Sequence, residues 1–316
     1  MKNKLLAIMA VFGMVASASA VKINNNLSIN GFLDGSYVLS DTDAADSQTL
    51  GADEAELNFV LSNGAVSGLL SVDSGEASGV NDLDIEQAHF TYDVGNGISV
   101  TFGRYGSALG FEREDPAGLY TYSRAYKSNA ANLGNIDGGN VVEGLTVAYA
   151  ADQFSLAASF ENTKGADLES DDLNLELSFS YTAIADTVIG GGYFFDNGDS
   201  SNAAYVETDV LNVHASRSFG KLLVGAEYSE FSPSNGNDRG AYMVLVDYDY
   251  TDKIGAAIRF SNEELASGQD YEKITIAPNY AITDNLGAII EFSDIEDNDL
   301  ANPDSNLIAV ELTYTF

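Results

Sequence analysis

Two groupings of residues carry side chains able to do chemistry. The first is a mixture of charge in the stretch 111–139. Glu112, Glu114 and Asp115 lie beside Arg113, with Arg124, Lys127 and Asp137 further on. At a narrow place in a water-filled passage, such a mixture sets up a transverse field that selects ions by sign and size. On a surface loop it would only be solvated. The length of the stretch favours the first reading, because long connections in compact proteins are usually functional. Arg104 shares the parity of Val100 and Phe102, so it either snorkels from the outer face or, the favoured reading, is turned inward by a bulge at Gly103 and joins this set. The second grouping is His214-Ala215-Ser216, which puts an imidazole and a hydroxyl on one face of a strand. A nucleophile needs a base within hydrogen-bond reach. His-x-Ser arises readily by chance, however, and no third residue presents itself to orient the imidazole, so catalysis is not expected. There is no phosphate-binding glycine loop, dinucleotide fingerprint or zinc spacing, and no cysteine. No metal or cofactor is expected.

The elements that must position these residues are strands. At the end of the chain Ile308, Val310, Leu312, Tyr314 and Phe316 fall on one face, and Ala309, Glu311, Thr313 and Thr315 on the other. A period of two is the mark of a strand with one apolar face. It recurs in segments of about ten residues, the length that a transmembrane strand requires. Sixteen candidate strands begin near Leu27, Glu54, Ala65, Ile85, Ile98, Asn140, Phe154, Asp172, Thr187, Asp209, Leu222, Gly240, Ile254, Lys273, Leu286 and Leu307. Short connections such as Asn63-Gly64, Gly95-Asn96-Gly97 and Gly220-Lys221 alternate with long acidic ones such as 40–51, 161–172 and 294–305. Gly, Asn and Asp supply the positive φ that tight hairpins demand. Strict alternation of loop length is the sidedness of an outer-membrane barrel, with short periplasmic turns and longer external loops.

Alternation alone does not say which face is inside. Aromatic residues do. Tyr149, Phe154, Tyr181, Tyr248, Tyr250, Tyr280, Tyr314 and Phe316 lie by short turns on the apolar face. Tyr37, Phe160, Tyr228, Tyr242, Phe260 and Phe292 lie near the far ends of the same face. Two aromatic girdles bounding an apolar band form a lipid-facing pattern. The expected fold is therefore all-β: a single transmembrane antiparallel barrel over 21–316, with a polar lumen wide enough for water. Its predicted pore lining is Glu56, Glu176, Glu227, Asp247, Glu291 and Glu311, with Arg259 and Lys273. The acids outnumber the bases, so the lumen should prefer cations. His89 reads as one more lumen side chain. The strand containing Gly190-Gly191-Gly192 could face either way.

The ends and the charge fit this architecture. Residues 1–20 carry Lys2 and Lys4, an apolar run from Leu5 to Val15, and the small-residue ending Ala16-Ser17-Ala18-Ser19-Ala20. They read as a signal peptide, with Val21 first in the mature protein. The apolar run is shorter than the roughly 20 residues of a membrane-spanning helix. The chain has 14 Lys plus Arg against 48 Asp plus Glu, which excludes nucleic acid as a partner, because phosphate must be neutralised. The acidic external loops are either a solvated surface or sites where divalent cations bridge to lipopolysaccharide phosphates.

Three resemblances add to this reading. The terminal Tyr314-Thr315-Phe316, with Leu312 at the same parity, resembles the ending of outer-membrane barrels. There a terminal Phe is read by the barrel-assembly machinery, which implies an assembly signal in Leu312, Tyr314 and Phe316. The stretch Phe102-Gly103-Arg104-Tyr105-Gly106-Ser107-Ala108-Leu109-Gly110-Phe111-Glu112, followed by Asp115-Pro116 and Tyr122-Ser123-Arg124, resembles the OmpL-like β-barrel porins of Gram-negative bacteria. Ala108-Leu109 stand where that family commonly has Thr-Pro. This resemblance implies passive diffusion of small hydrophilic solutes and ions across the outer membrane. Similarity to porins in general implies a homotrimer and a connection at 111–139 that folds inward as a constriction. The remaining alternatives are a non-conducting structural or adhesive barrel and a hydrolase similar to outer-membrane phospholipases, which use a His–Ser pair oriented by an Asn.

Overall fold

The computed structural model describes residues 20–42, 46–74, 83–112, 116–127, 141–162, 173–182, 184–197, 206–264, 268–298 and 304–316. The predicted signal peptide lies outside them, apart from Ala20. The strands are β1 (Val21–Lys22), β2 (Leu27–Thr42), β3 (Ser47–Asn63), β4 (Val66–Ser74), β5 (Asp84–Gly95), β6 (Ile98–Gly106), β7 (Val141–Ala150), β8 (Phe154–Glu161) and β9 (Asn174–Tyr181), then β10 (Thr187–Phe195), β11 (Thr208–Phe219), β12 (Leu222–Pro233), β13 (Arg239–Asp249), β14 (Ile254–Glu264), β15 (Asp270–Ala281), β16 (Leu286–Asp297) and β17 (Ser305–Thr315).

From β2 onward each strand pairs antiparallel with the next, and β17 pairs with β2 to close the ring. The two residues of β1 only extend the ladder at the start of β2, where Val21 faces Ile29. Sixteen strands thus form the barrel wall. Closure matters physically, because an open sheet edge at membrane depth would leave backbone donors and acceptors without partners.

The wall is apolar outside and polar inside. Neighbours on β14 make the contrast plain: Ile258 is 53% exposed and Arg259 1%. The short turns carry the backbone that the sequence calls for, with positive φ at Gly64, Asn96, Asp186 and Gly220. Aromatic pairs mark both ends of the outer band, Tyr149 against Phe154 by a short turn and Tyr242 against Phe260 toward the other end.

Two expectations about strands are corrected. β3 starts at Ser47, not near Glu54, because its first residues continue the pairing with Ser36–Ser40 of β2 above the apolar band. No bulge occurs at Gly103. The β5–β6 ladder runs without a shift through His89↔Gly103 and Ala88↔Arg104, and its register shift lies between Asp93 and Gly95. Gly103 takes a φ of +128°, and a Cβ there would sit 2.3 Å from the Ala88 carbonyl oxygen. Glycine therefore serves close strand approach at this point and adds no residue to the ladder. As a result Arg104 stays on the outer face with Phe102. Its Nε donates to the Glu86 carbonyl oxygen at 2.7 Å, and its Nη1 lies 3.5 Å from Glu143 Oε1. Arg104 is not part of a lumen constriction.

Candidate functional site

After Gly106 the chain turns into the barrel and travels along its inner wall. The backbone leads. Ser107 Oγ donates to Glu176 Oε2 at 2.5 Å, and the Ala108 amide to Glu176 Oε1 at 3.1 Å. The Gly110 amide donates to Asn212 Oδ1 at 3.3 Å, and the Phe111 amide to Glu227 Oε1 at 2.7 Å. Inward acceptors on β9, β11 and β12 thus receive loop donors that would otherwise be unsatisfied away from bulk water.

The next contacts involve charge. Glu112 pairs with Arg259 of β14 and accepts from the Ala125 amide at 2.6 Å. Arg259 Nη2 also donates to the Ser123 carbonyl oxygen at 2.6 Å. Glu291 of β16 accepts from the Ser123 amide at 2.9 Å and from its hydroxyl. Lys273 of β15 donates to Ser123 Oγ and, at 3.2 Å, to the Arg124 carbonyl oxygen. Ser261 Oγ donates to the Ala125 carbonyl oxygen at 2.5 Å. Lys127 donates its amide to Glu263 Oε2 at 3.0 Å and places Nζ 2.6 Å from Asp297 Oδ2. Tyr122 continues round the ring to β2, where Ser36 Oγ donates to its hydroxyl oxygen at 3.2 Å. Burial raises the Tyr122 and Tyr126 hydroxyls above their usual pKa, so both remain protonated.

The loop also has an apolar seat. Leu109, Ala125 and Tyr126 pack against Val210, Phe231, Ala241, Met243, Leu245, Ala257 and Ala277 of the wall. Sequence reasoning missed this seat. Its signal is the unbroken run Ala241-Tyr242-Met243-Val244-Leu245-Val246, which reads as a strand covered on both faces.

Of the residues predicted for a constriction, the loop holds Glu112, Arg124 and Lys127 inside the barrel. Arg113, Glu114, Asp115 and Asp137 lie outside the described residues. Of the predicted lining, Glu176, Glu227, Arg259, Lys273 and Glu291 all touch the loop. Glu56 is buried beside Asn58, which donates to it. Asp247 lies in the electrostatic neighbourhood of Tyr120. Glu311 is buried close to Asp34, Asp53 and Glu291. At the terminus, Leu312 and Tyr314 face outward and the Phe316 ring stacks on Tyr314 at 6.0 Å. Phe316 exchanges two backbone hydrogen bonds with Gly31, each 3.0 Å.

His214 does find an orienting partner, since its Nδ1 is 3.1 Å from Asn212 Oδ1. No sequence pattern marked that residue, which lies two positions before it on the same strand. The Nε2 atom, however, lies across the ladder over Gly190, 2.4 Å from where a Cβ would stand. It is directed to the neighbouring strand rather than along its own strand toward Ser216.

The barrel resembles solved porins. It matches an anion-selective porin from Comamonas acidovorans with a TM-score of 0.69 at 13% identity, covering 92% of this chain and 99% of that one. It matches Salmonella typhi OmpF, solved in complex with daunomycin, with a TM-score of 0.71 at 14% identity, covering 94% and 100%. It matches the trimer form of in-vitro folded OmpT, an outer membrane protein of Vibrio cholerae, with a TM-score of 0.63 at 16% identity, covering 92% and 100%. Likeness at these identities concerns the fold. Among curated proteins none matches the chain. The profile of the family described as "Putative beta-barrel porin-2, OmpL-like" matches residues 45–316, nearly the whole barrel. The chain therefore belongs to the OmpL-like beta-barrel porin-2 family, and it is an outer-membrane porin channel.

Proposed function

We propose that this porin is a passive, cation-preferring channel for small hydrophilic solutes, narrowed by the connection 111–139. The observation that carries the proposal is where the basic side chains go. Arg259 and Lys273, the cations of the predicted lining, are 1% and 4% exposed and hydrogen-bonded to the loop. Lys127 is paired with Asp297. Next to them round the ring, the wall of β17, β2 and β3 presents Glu311, Asp34, Glu54 and Glu56, and Tyr122 lies by that wall. Arg259, Lys273 and Lys127 are thus engaged with the loop or the wall, and the adjoining wall carries carboxylates. A water-filled passage lined by one sign of charge enriches the counter-ion. In this reading Glu112, Arg113, Glu114, Asp115, Arg124 and Lys127 form the lip of the constriction.

The rest of the proposal concerns export and assembly. Residues 1–20 are cleaved on export, Leu312, Tyr314 and Phe316 deliver the chain to the barrel-assembly machinery, and the barrel functions as a homotrimer among lipopolysaccharide. The likeness to a trimeric solved barrel supports the last point. The test of the channel is reversal potential in a planar bilayer under a KCl gradient. Current should favour potassium, and shortening residues 117–130 should raise conductance. A preference for chloride would refute the lumen assignment. Unchanged conductance after shortening would place the constriction elsewhere.

A further inference from the structure

The lumen wall is engaged by the loop on one side, where among the described residues Arg259 Nε is the buried atom left without a partner, and is met less fully elsewhere. Along β9 to β16 the loop supplies donors to Glu176, Asn212, Glu227, Glu263 and Glu291. Around the rest of the ring, some buried atoms lack a hydrogen-bond partner among the described residues. They include Asp53 Oδ2 and Asn58 Oδ1 on β3, Gln87 Oε1 and both nitrogens of His89 on β5, Glu161 Oε1 on β8 and Glu311 Oε2 on β17. Glu161, Glu311 and His89 are 1%, 2% and 8% exposed. Buried polar groups in proteins almost always have partners. Leaving one unmet costs about 1–3 kcal/mol, and more for a charged group.

The unmet atoms share a chemistry. Apart from the His89 nitrogens and the Ser99 hydroxyl of β6, they are acceptor oxygens, on three carboxylates and two amides. A solute that satisfies them must be rich in N–H donors and positively charged. A compact metal ion is a poor match, because no group of three or more ligating side chains among the described residues is close enough to hold one. The acceptors are instead spread over several strands. Neighbouring strands stand about 5 Å apart, and alternate residues along one strand about 7 Å. That spacing suits ammonium groups strung along short methylene chains. Tyr105 and Leu69, also buried on this side, offer contact to such methylenes.

We propose that the β3–β8 side of the lumen, continued by Glu311, is a binding track for linear polyamines. The proposal rests on the reading of the lumen as a solute passage and names the solute class it takes. The track needs charge and donors together, so a neutral sugar should not occupy it, and a divalent metal should gain only its charge.

The test is calorimetric titration of the whole detergent-solubilised protein, at low salt, with spermidine, magnesium chloride or maltose. Spermidine should bind about tenfold or more tightly than magnesium, and maltose should give no heat. The triple variant Asp53→Asn, Glu161→Gln, Glu311→Gln should weaken spermidine binding by about tenfold or more. If the triple variant fails to form a barrel, the single variant Glu161→Gln should still weaken binding measurably. Spermidine binding no tighter than magnesium, or unchanged in a folded variant, would overturn the track. A protein that conducts potassium but does not bind spermidine would overturn the track alone. Binding without any conductance would support the track and sink the channel reading.

Discussion

At the scale of single residues, the pairing of Glu112 with Arg259 deserves the closest test. Both side chains are buried, and each has further partners in the loop or wall. A buried ion pair gains little over an apolar pair of similar shape, yet removing one member leaves an uncompensated charge, at about 3–5 kcal/mol. Arg259→Met should therefore weaken docking of the loop by that order while the barrel itself stays folded. Hydrogen exchange of the backbone amides at Ala108, Phe111 and Ala125 should accelerate, and single-channel current should become noisier. The double variant Arg259→Met with Glu112→Leu should recover a substantial part of the loss. If Arg259→Met leaves exchange in the loop unchanged, the pair does not hold the loop.

At the scale of elements, β17 carries a prediction of its own. Its outer face ends in Phe316, whose backbone bonds to Gly31 and whose ring stacks on Tyr314. Deleting Phe316 should lower the yield of assembled barrel far more than it alters the conductance of barrels that do form. Normal yield would deny the residue an assembly role. The strands were legible because one face meets lipid and the other meets water, which forces a period of two. Legibility failed where that contrast fades. At the start of β3 neither face carries an apolar stripe, since Leu50 stands alone among Ser47, Gln48, Thr49 and Gly51, so its first residues read as loop. On β13 both faces are apolar, because Met243 and Leu245 form part of the seat of the loop. Arg104 departs from the favoured inward placement because Gly103 makes no bulge, and Glu143, which sits across from it, is 39 residues away in sequence. Length, charge and resemblance point to an inward connection at 111–139, and its described residues 111–112 and 116–127 bond to the lumen wall. The hydrogen bonds to Glu176, Asn212 and Glu227 were not legible, since they depend on which strands the ring brings opposite the loop.

At the scale of the whole molecule, the outward apolar band and the closed ring predict how the protein behaves in detergent. Unboiled protein should migrate on a detergent gel at a different apparent mass from boiled protein, and it should fractionate with outer membranes. Solubility without detergent would contradict the assignment of outside and inside. The seam that completes the ring has a consequence for how the molecule is made. It joins β17 to β2, and Thr313 there donates to Asp34, 279 residues earlier in the chain. Before the last strand arrives, both ends of the growing sheet expose unpaired backbone, a template for pairing with any other chain. Contacts so distant in sequence are also slow to form. The loop that crosses the lumen compounds the delay, because its partners extend from β9 to β16 and on to β2, so it cannot dock until almost the whole ring exists. Refolding should therefore improve on dilution and with chaperones that shield the two edges. A tube fastened by its own two ends offers no stable intermediate on which to pause.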